Sequence, residues 1–315
     1  MGNHQSGQMA RQHSWLIPFG CLLSGGMLLG ISTNLAKFAI TIGITPLAFL
    51  FWSLTGAALL LTLLTIIRRE RLPTSARAIE YYIVAALVGV SGSNLIFFSA
   101  IPYVGAGFVA MMIALPPLLT YLGALALGIE RFNNLRAFGV AAALIGAGVL
   151  AAHKFSAPNT SAFWVVIALC GPVLLAIGNI YRTLRWPDNA RPSSLVPGML
   201  IAAAALLALV ALLPNFSLSV NYHQAKTLAI IAVQSFIFAG QFLLLFLLQK
   251  TGGPVLLSLL GAVGAVVGVP VAVFLQGERP PEGLLLGATL IAIGVAAVTW
   301  GGIQAAKSKK QSYKE

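Results

Sequence analysis

The sequence predicts an all-α integral membrane protein with ten transmembrane helices, arranged as two inverted repeats of five helices each. Three observations support this prediction. The 315 residues are 58% hydrophobic and only 8% charged, whereas a soluble domain carries about a quarter charged residues. Ten apolar runs have the length that crosses a bilayer. Several residues of the first half recur in the second half at a constant offset.

The ten apolar runs are separated by short connections, which hold most of the proline, asparagine and charge. A helix needs about 20 apolar residues to cross the hydrocarbon core. We number the runs as spans 1 to 10, and they cover residues 15–36, 46–67, 79–99, 103–127, 136–152, 162–181, 195–213, 227–249, 253–275 and 284–303. No connection is long enough to form a separate soluble domain.

Lys and Arg are distributed unevenly between the two sides of the predicted bundle. Fifteen of the 19 lie in the tails or next to the loops that follow even-numbered spans, and the other four are Lys37, Lys154, Lys226 and Arg279. Cytoplasmic loops carry an excess of Lys and Arg. The distribution therefore predicts cytoplasmic termini, and we expect the protein in a bacterial inner membrane. Because topology accounts for the positive charge, we predict no nucleic-acid partner.

A short motif follows both span 4 and span 9. Glu130 and Arg131 correspond to Glu278 and Arg279 at an offset of 148 residues. The same offset relates Gly105 to Gly253, Gly139 to Gly287 and Gly146 to Gly294. A long fixed period indicates two copies of one unit, and five spans per copy place the second copy in the opposite orientation. Inverted repeats of this kind are typical of transporters.

The repeats define the expected organisation of the chain. We predict a cytoplasmic tail at residues 1–14, a first repeat at 15–152, a linker at 153–161, a second repeat at 162–303 and a basic tail at 304–315.

No group of side chains in the sequence suits catalysis or metal binding. Every acidic residue and every histidine lies in a loop or near the end of a span, and none forms a cluster with metal-ligand spacing. We therefore predict neither an enzyme nor a cofactor. Proton relays in membrane transporters use acids or histidines inside the membrane, so the sequence favours facilitated transport or exchange over a proton-driven pump.

Uncharged polar residues form stripes on several spans. Amides inside the hydrocarbon need hydrogen-bond partners, so they either join helices or face a polar cavity, and the sequence leaves both interpretations open. The candidates for a substrate cavity or gate are Asn34, Ser91, Asn94, Asn179, Tyr181, Gln234 and Gln241. The candidate hinge residues are Pro116, Pro117, Gly264 and Pro270.

Matching positions in the two halves suggest how the amides could act. An Asn in span 1 and another in span 3 lie towards the predicted outer face, whereas their counterparts in spans 6 and 8 lie towards the cytoplasm. We predict that Asn34 with Asn94 helps to close an outer gate. We predict that Asn179 with Gln241 helps to close an inner one.

The end of span 4 reads Leu127-Gly128-x-Glu130-Arg131, and Gly277-Glu278-Arg279 follows span 9. With the glycines that follow each copy, these motifs resemble the EamA-type drug/metabolite transporter superfamily. The resemblance implies ten helices in two inverted repeats, a cavity lined by spans 1, 3, 4, 6, 8 and 9, and export of small metabolites. The segment Trp52-Ser53-Leu54-Thr55-Gly56 is similar to the YddG-like branch of aromatic amino-acid exporters.

These observations predict a transporter that exports amino acids, with aromatic ones as a candidate class, and related metabolites by alternating access. Efflux of drugs or other small organic solutes is the alternative. A membrane scaffold without transport is disfavoured by the polar stripes. The expected partners are a small-molecule substrate and the lipid bilayer, and the sequence does not determine the oligomeric state.

Overall fold

The computed structural model of the chain describes residues 2–156, 161–188, 190–251, 257, 259–280 and 283–312. Every regular element within these ranges is helical. Nine of the described helices are long and apolar enough to cross a membrane, and a shorter apolar helix, Leu260–Leu275, corresponds to the described part of span 9. The predicted all-α membrane fold is therefore confirmed. Gly253, which the sequence pairs with Gly105, lies outside the described residues.

The helices follow the predicted order of the spans. Their bounds, from span 1 to span 10, are Gly2–Thr41, Pro46–Ile67, Ala76–Val104, Ala106–Ala126, Asn134–Ser156, Ala162–Leu184, Pro192–Val210, Ala225–Thr251, Leu260–Leu275 and Leu284–Ser312. The first and last helices extend into the segments predicted as tails. No proline lies in residues 2–17 or 302–312, so nothing in these segments obliges the helix to stop.

Three spans depart from a regular α-helix. Span 4 consists of two helices, Ala106–Met112 and Pro116–Ala126, joined by a short turn. Proline supplies no backbone N–H and clashes with the preceding turn, which explains why the helix restarts at Pro116. Spans 3 and 9 each contain one π-helical turn, Leu87–Ser91 and Val271–Leu275. Such turns are frequent at functional sites.

Spans 4 and 9 end in the same way. Gly128 and Gly277 adopt left-handed conformations, with φ of +67° and +64°, and a glycine in this conformation commonly terminates a helix. The N–H of Glu130 then donates to the carbonyl of Ala124 at 3.2 Å, and the N–H of Glu278 donates to that of Ala272 at 3.0 Å. Both donors and both acceptors are related by 148 residues, so the backbone fits two copies of one unit.

The packing between spans also fits two inverted repeats. Span 5 packs on span 10 and span 2 on span 7, and the contact of span 1 with span 8 has its counterpart in that of span 6 with span 3. At the crossing of spans 5 and 10, a side chain on Gly139 would overlap Gly294, and one on Gly146 would overlap Gly287. Gly294 is the repeat counterpart of Gly146, and Gly287 is that of Gly139. Exchanging the two repeats therefore exchanges the two contacts, as a two-fold axis requires.

The outer surface of the bundle suits a lipid environment. Large apolar side chains project outward from the spans, as Leu59, Leu63 and Ile66 do on span 2. The interior holds aromatic and aliphatic side chains, among them Phe49 and Phe238, which are fully buried. The protein is therefore an integral membrane protein whose polar groups have to be satisfied inside the bundle.

Candidate functional site

A cavity lies between the two halves of the bundle. Residues of spans 1, 3, 4, 6, 8 and 9 line it, and these are the six spans that the family resemblance implies. Its polar lining residues are Asn94, Asn179, Arg182 and Gln241, and its apolar lining includes Phe97 and Phe242. The centres of water-sized molecules can occupy about 70 Å³ of it. This is room for a few waters or a small polar group.

Two equivalent positions meet at the wall of the cavity. Ile113 of span 4 corresponds to Gly261 of span 9 at the offset of 148, and a side chain on Gly261 would overlap the Ile113 carbonyl. Both residues line the cavity, and so do Pro116 and Pro117 immediately after the break in span 4. This position fits a cavity beside the pseudo-two-fold axis that the repeats predict, where inverted-repeat transporters form their binding site.

Arg182 is the charged residue in the lining of this cavity. Its side chain is only 1% exposed, although it belongs to the last turn of span 6. A helical side chain points towards the helix N-terminus, which directs the guanidinium from the membrane surface into the bundle. There Nη2 donates to Asn179 Oδ1 at 2.6 Å, whereas the buried Nε has no partner.

Two glycines make room for the guanidinium. A side chain on Gly89, in the π-helical turn of span 3, would overlap Nη1 of Arg182. A Cβ on Gly178 of span 6 would lie 2.7 Å from the Gly89 Cα. Spans 3 and 6 approach closely here because neither residue carries a side chain. Among the residues that the structure describes, no acidic side chain forms an ion pair with Arg182.

The other amides of the lining are only partly satisfied. Asn94 Nδ2 donates to the carbonyl of Val90 in its own helix at 2.8 Å. Gln241 is 4% exposed and its Oε1 has no hydrogen-bond partner. The cavity thus offers a cationic donor from span 6 and an amide acceptor from span 8.

A different arrangement joins spans 1, 4 and 9 at the predicted outer face. Lys37 Nζ donates to Glu278 Oε1 at 2.7 Å. The same carboxylate accepts from the backbone N–H groups of Ala106 at 2.6 Å and Gly107 at 2.9 Å. The carboxylate is therefore stabilised by a cation and by two amides at the start of a helix. Residues from three spans are held together by this one side chain.

Asn34 adds a second connection between spans 1 and 9. Its Nδ2 donates to the carbonyl of Gly268 at 2.9 Å, and its backbone carbonyl accepts from Gln276 Nε2 at 2.7 Å. Asn34 and Asn94 do not bond to each other in this conformation, because each amide donates to backbone carbonyls. Asn34 is also absent from the cavity lining, so in the structure it serves to join helices.

The corresponding face of the other repeat is arranged differently. Glu130 pairs with Arg136, whose guanidinium carbon lies 3.8 Å from the centre of the Tyr121 ring. By the repeat relationship Glu130 is the counterpart of Glu278, and Arg182 is that of Lys37. The ion pair between Lys37 and Glu278 thus has no equivalent between Arg182 and Glu130 in the described residues. The two equivalent carboxylates therefore have different partners.

The remaining predicted residues have other positions. Ser91 donates to the carbonyl of Ala203 at 3.0 Å, and Gln234 donates to Ser32 at 2.6 Å, so both join helices. Gly264 packs against Leu29 of span 1, and Pro270 directly precedes the π-helical turn of span 9. Arg131 and Arg279 are exposed.

Tyr181 lines a second hollow, between the loop joining spans 2 and 3 and the loop joining spans 6 and 7. This hollow measures about 800 Å³. Its cationic residues are Arg68, Arg69, Arg71, Arg77, Arg185 and Arg191. Tyr181 stacks on Tyr81 with ring centres 6.1 Å apart, and its hydroxyl donates to Glu80 at 3.4 Å. In the structure Tyr181 belongs to this hollow and not to the central cavity.

Two charged residues at these sites, Lys37 and Arg182, were not predicted as site residues from the sequence. The charge count treated both as cations near loops, but Arg182 is buried inside the bundle. A signal was present in the sequence: an Asn followed three residues later by a cation occurs in span 1 and again in span 6, at an offset of 145. This repeat singled out the two cations, although it did not reveal which of them has an acidic partner.

Comparison with known proteins supports the same interpretation. Residues 17–152 match the model of the EamA-like transporter family, which confirms the resemblance over the first repeat. Twenty-seven chains of solved structures match. One of them, described only as the crystal structure of a protein, is 20% identical with a TM-score of 0.64, and the match covers 92% of this chain and 97% of the other. This likeness shows a shared fold. No curated protein matches the chain.

Proposed function

We propose that this chain, a membrane transporter whose residues 17–152 form an EamA-like unit, exports amino acids and related small metabolites by alternating access. The observation that carries the proposal is the asymmetry of two equivalent faces. Glu278 binds Lys37 and the start of span 4 at one face. Its counterpart Glu130 instead binds Arg136, which follows it by six residues.

The asymmetry supports alternating access because the two halves have related sequences. If one face is closed by contacts that the other face lacks, exchanging the conformations of the two halves would close the second face and open the first. The cavity lies between the faces, next to the pseudo-two-fold axis. We propose that the structure represents a state closed towards the outside, with the termini in the cytoplasm of a bacterial inner membrane.

The composition of the cavity wall supports an amphipathic substrate. Asn179 and Gln241 present amide groups, whereas Phe97 and Phe242 present aromatic rings. A solute with a polar head and an apolar side chain, such as an apolar or aromatic amino acid, matches this division. The cavity has room for only a few waters in this conformation, so binding such a solute requires the cavity to widen. Efflux of drugs or other small organic solutes is the alternative, and the charge of Arg182 in the wall disfavours those that are cations.

Purified protein in liposomes would test the proposal. Vesicles loaded with an unlabelled amino acid should accumulate the labelled amino acid from outside by counterflow, and a panel of amino acids would define the preference. A panel of organic cations tests the alternative in the same vesicles. Uptake of neither class above protein-free vesicles would contradict the proposed function, whereas uptake of cations alone would favour drug efflux.

A further inference from the structure

We infer that Arg182 is the binding group for a carboxylate of the transported solute, and that the substrates are consequently carboxylic acids of the amino-acid type. The inference rests on the proposed transport function and adds to it a residue and a chemical class. Its starting point is a cation that is 1% exposed and has no acidic partner among the described residues.

A buried, uncompensated charge is costly in any protein and is usually functional in a membrane. Lys37, the counterpart of Arg182 in the other repeat, shows how this chain neutralises a cation with its own residues, since it binds Glu278 at 2.7 Å. For Arg182, Asn179 supplies only a neutral acceptor. An anion from outside the chain would complete the site.

The geometry suits a carboxylate. The guanidinium has a planar fork of donors that matches the two oxygens of a carboxylate. Asn179 occupies Nη2, and the buried Nε is without a partner. Gly89 lies against Nη1, and Arg182 belongs to the wall of the cavity. A solute entering the cavity would therefore reach Arg182 with its anionic end.

The rest of the wall suits an amino acid in particular. Gln241 Oε1 is buried and has no partner, and it is an acceptor that an ammonium group can satisfy. Phe97 and Phe242 complete the wall with apolar surface for a side chain. A zwitterion would thus have one recognition group on span 6, another on span 8 and an apolar surface beside them.

Binding measurements in detergent test this inference without requiring transport. L-phenylalanine, its carboxamide and 3-phenylpropionate, with other amino acids and their carboxamides as a panel, would be titrated into wild-type protein and the variants Arg182→Gln and Arg182→Lys. Wild-type protein should bind the acids at least about tenfold more tightly than the carboxamides, because hydrogen bonds to charged groups contribute about 1.5–3 kcal/mol. Arg182→Gln should bind acid and carboxamide equally, and Arg182→Lys should keep part of the preference.

Thermal unfolding of the ligand-free variants separates recognition from a structural role. Because Arg182→Gln removes a buried charge without an acidic partner, the ligand-free variant should unfold at the same temperature as wild-type protein or higher. A strong loss of stability, or an undiminished preference for acids in Arg182→Gln, would overturn the inference. So would a wild-type protein that binds no acid of the panel more tightly than its carboxamide.

The two proposals can fail separately. Acid binding that depends on Arg182, without counterflow in liposomes, would support the carboxylate site and contradict the transport function. Counterflow of amino acids that is unaffected in Arg182→Gln would support the transport function and overturn the carboxylate site.

Discussion

Lys37 and Glu278 lie 241 residues apart in the chain and form a direct ion pair, with Nζ 2.7 Å from Oε1. The pair joins span 1 to the end of span 9, and the same carboxylate receives two backbone N–H groups from the start of span 4. Three segments that line or flank the cavity are thereby held at one face. If this face is a gate, its stability depends on the charge of one residue.

The first prediction concerns this carboxylate. Glu278→Gln should open the predicted outer face, because the amide cannot replace an anion that binds Lys37 and two N–H groups. Hydrogen bonds to charged groups contribute about 1.5–3 kcal/mol, so the population open to the outside should rise at least about tenfold. A cysteine at Leu29, in a background lacking Cys21 and Cys170, should react faster with an impermeant thiol reagent added outside.

The matched control is Glu130→Gln, the same substitution at the equivalent position of the other repeat. Among the residues that the structure describes, the Glu130 carboxylate pairs with the nearby Arg136 alone, so this variant should not increase labelling from outside. Equal labelling of both variants would contradict a gating role for the ion pair.

The sequence predicted the helices well because their determinants are local. A run of apolar residues defines each span, and Gly128 and Gly277 end spans 4 and 9 where the repeated motif places them. The break in span 4 likewise follows from Pro116 and Pro117 alone.

The partners of the polar residues could not be predicted in the same way, because they depend on distant parts of the chain. Asn34 bonds to Gly268, 234 residues away, and Ser91 bonds to Ala203 on span 7. The burial of Arg182 depends on the gap that Gly89 leaves on another helix. Periodicity in the sequence identifies the helix face that carries a polar side chain. Whether that side chain bonds to another helix or lines a cavity depends on the helix packed against it.

The second prediction concerns coupling. The acidic residues that the structure describes lie in loops or at helix ends, with Glu278 held by Lys37 at one face. We expect counterflow between two amino-acid pools to continue when the proton gradient is collapsed with an ionophore. Initial rates should stay within about twofold of those measured with a gradient, a difference of only about 0.4 kcal/mol. Loss of counterflow under these conditions would show that a titratable group takes part in transport.

The third prediction concerns the break in span 4. Replacing both Pro116 and Pro117 with Ala restores two N–H donors and favours a continuous helix. Because these residues line the cavity, a straighter span 4 should slow the conformational change, so the transport rate should fall more than the amount of folded protein. Pro102→Ala, in span 3 and outside the cavity lining, is the control. Unchanged transport in the double variant would indicate that the break is only structural.

The fourth prediction concerns the glycine crossing of spans 5 and 10. A Cβ at Gly139 would lie 2.6 Å from the Gly294 carbonyl oxygen, whereas one at Gly148 in the same span has nothing within 4 Å. Gly139→Ala should therefore force the helices apart and destabilise the protein by about 1–3 kcal/mol. Gly148→Ala should be neutral or slightly stabilising, since Ala is the better helix former. Thermal unfolding in detergent measures both, and equal melting temperatures would contradict the packing described.

The last prediction separates two amides that the sequence had grouped in one gate. Asn34→Leu removes the bond from span 1 to Gly268 of span 9, and an interhelical hydrogen bond in a membrane is worth about 0.6–2 kcal/mol. It should therefore shift the protein towards the state open to the outside several-fold. Asn94→Leu removes a bond within span 3 and changes the cavity lining, so it should weaken substrate binding without altering accessibility.

Accessibility of a cysteine at Leu29 and substrate titration in detergent would be measured for both variants. Thr33→Val is the control for Asn34→Leu, because the Thr33 hydroxyl donates to Leu29 in its own helix. Should Asn34→Leu and Thr33→Val give the same accessibility, the bond to Gly268 contributes nothing to the closed state. Should Asn94→Leu change accessibility as much as Asn34→Leu does, the two amides belong to one gate. The distinction between Asn34 as a residue that joins helices and Asn94 as a residue that lines the cavity would then be wrong.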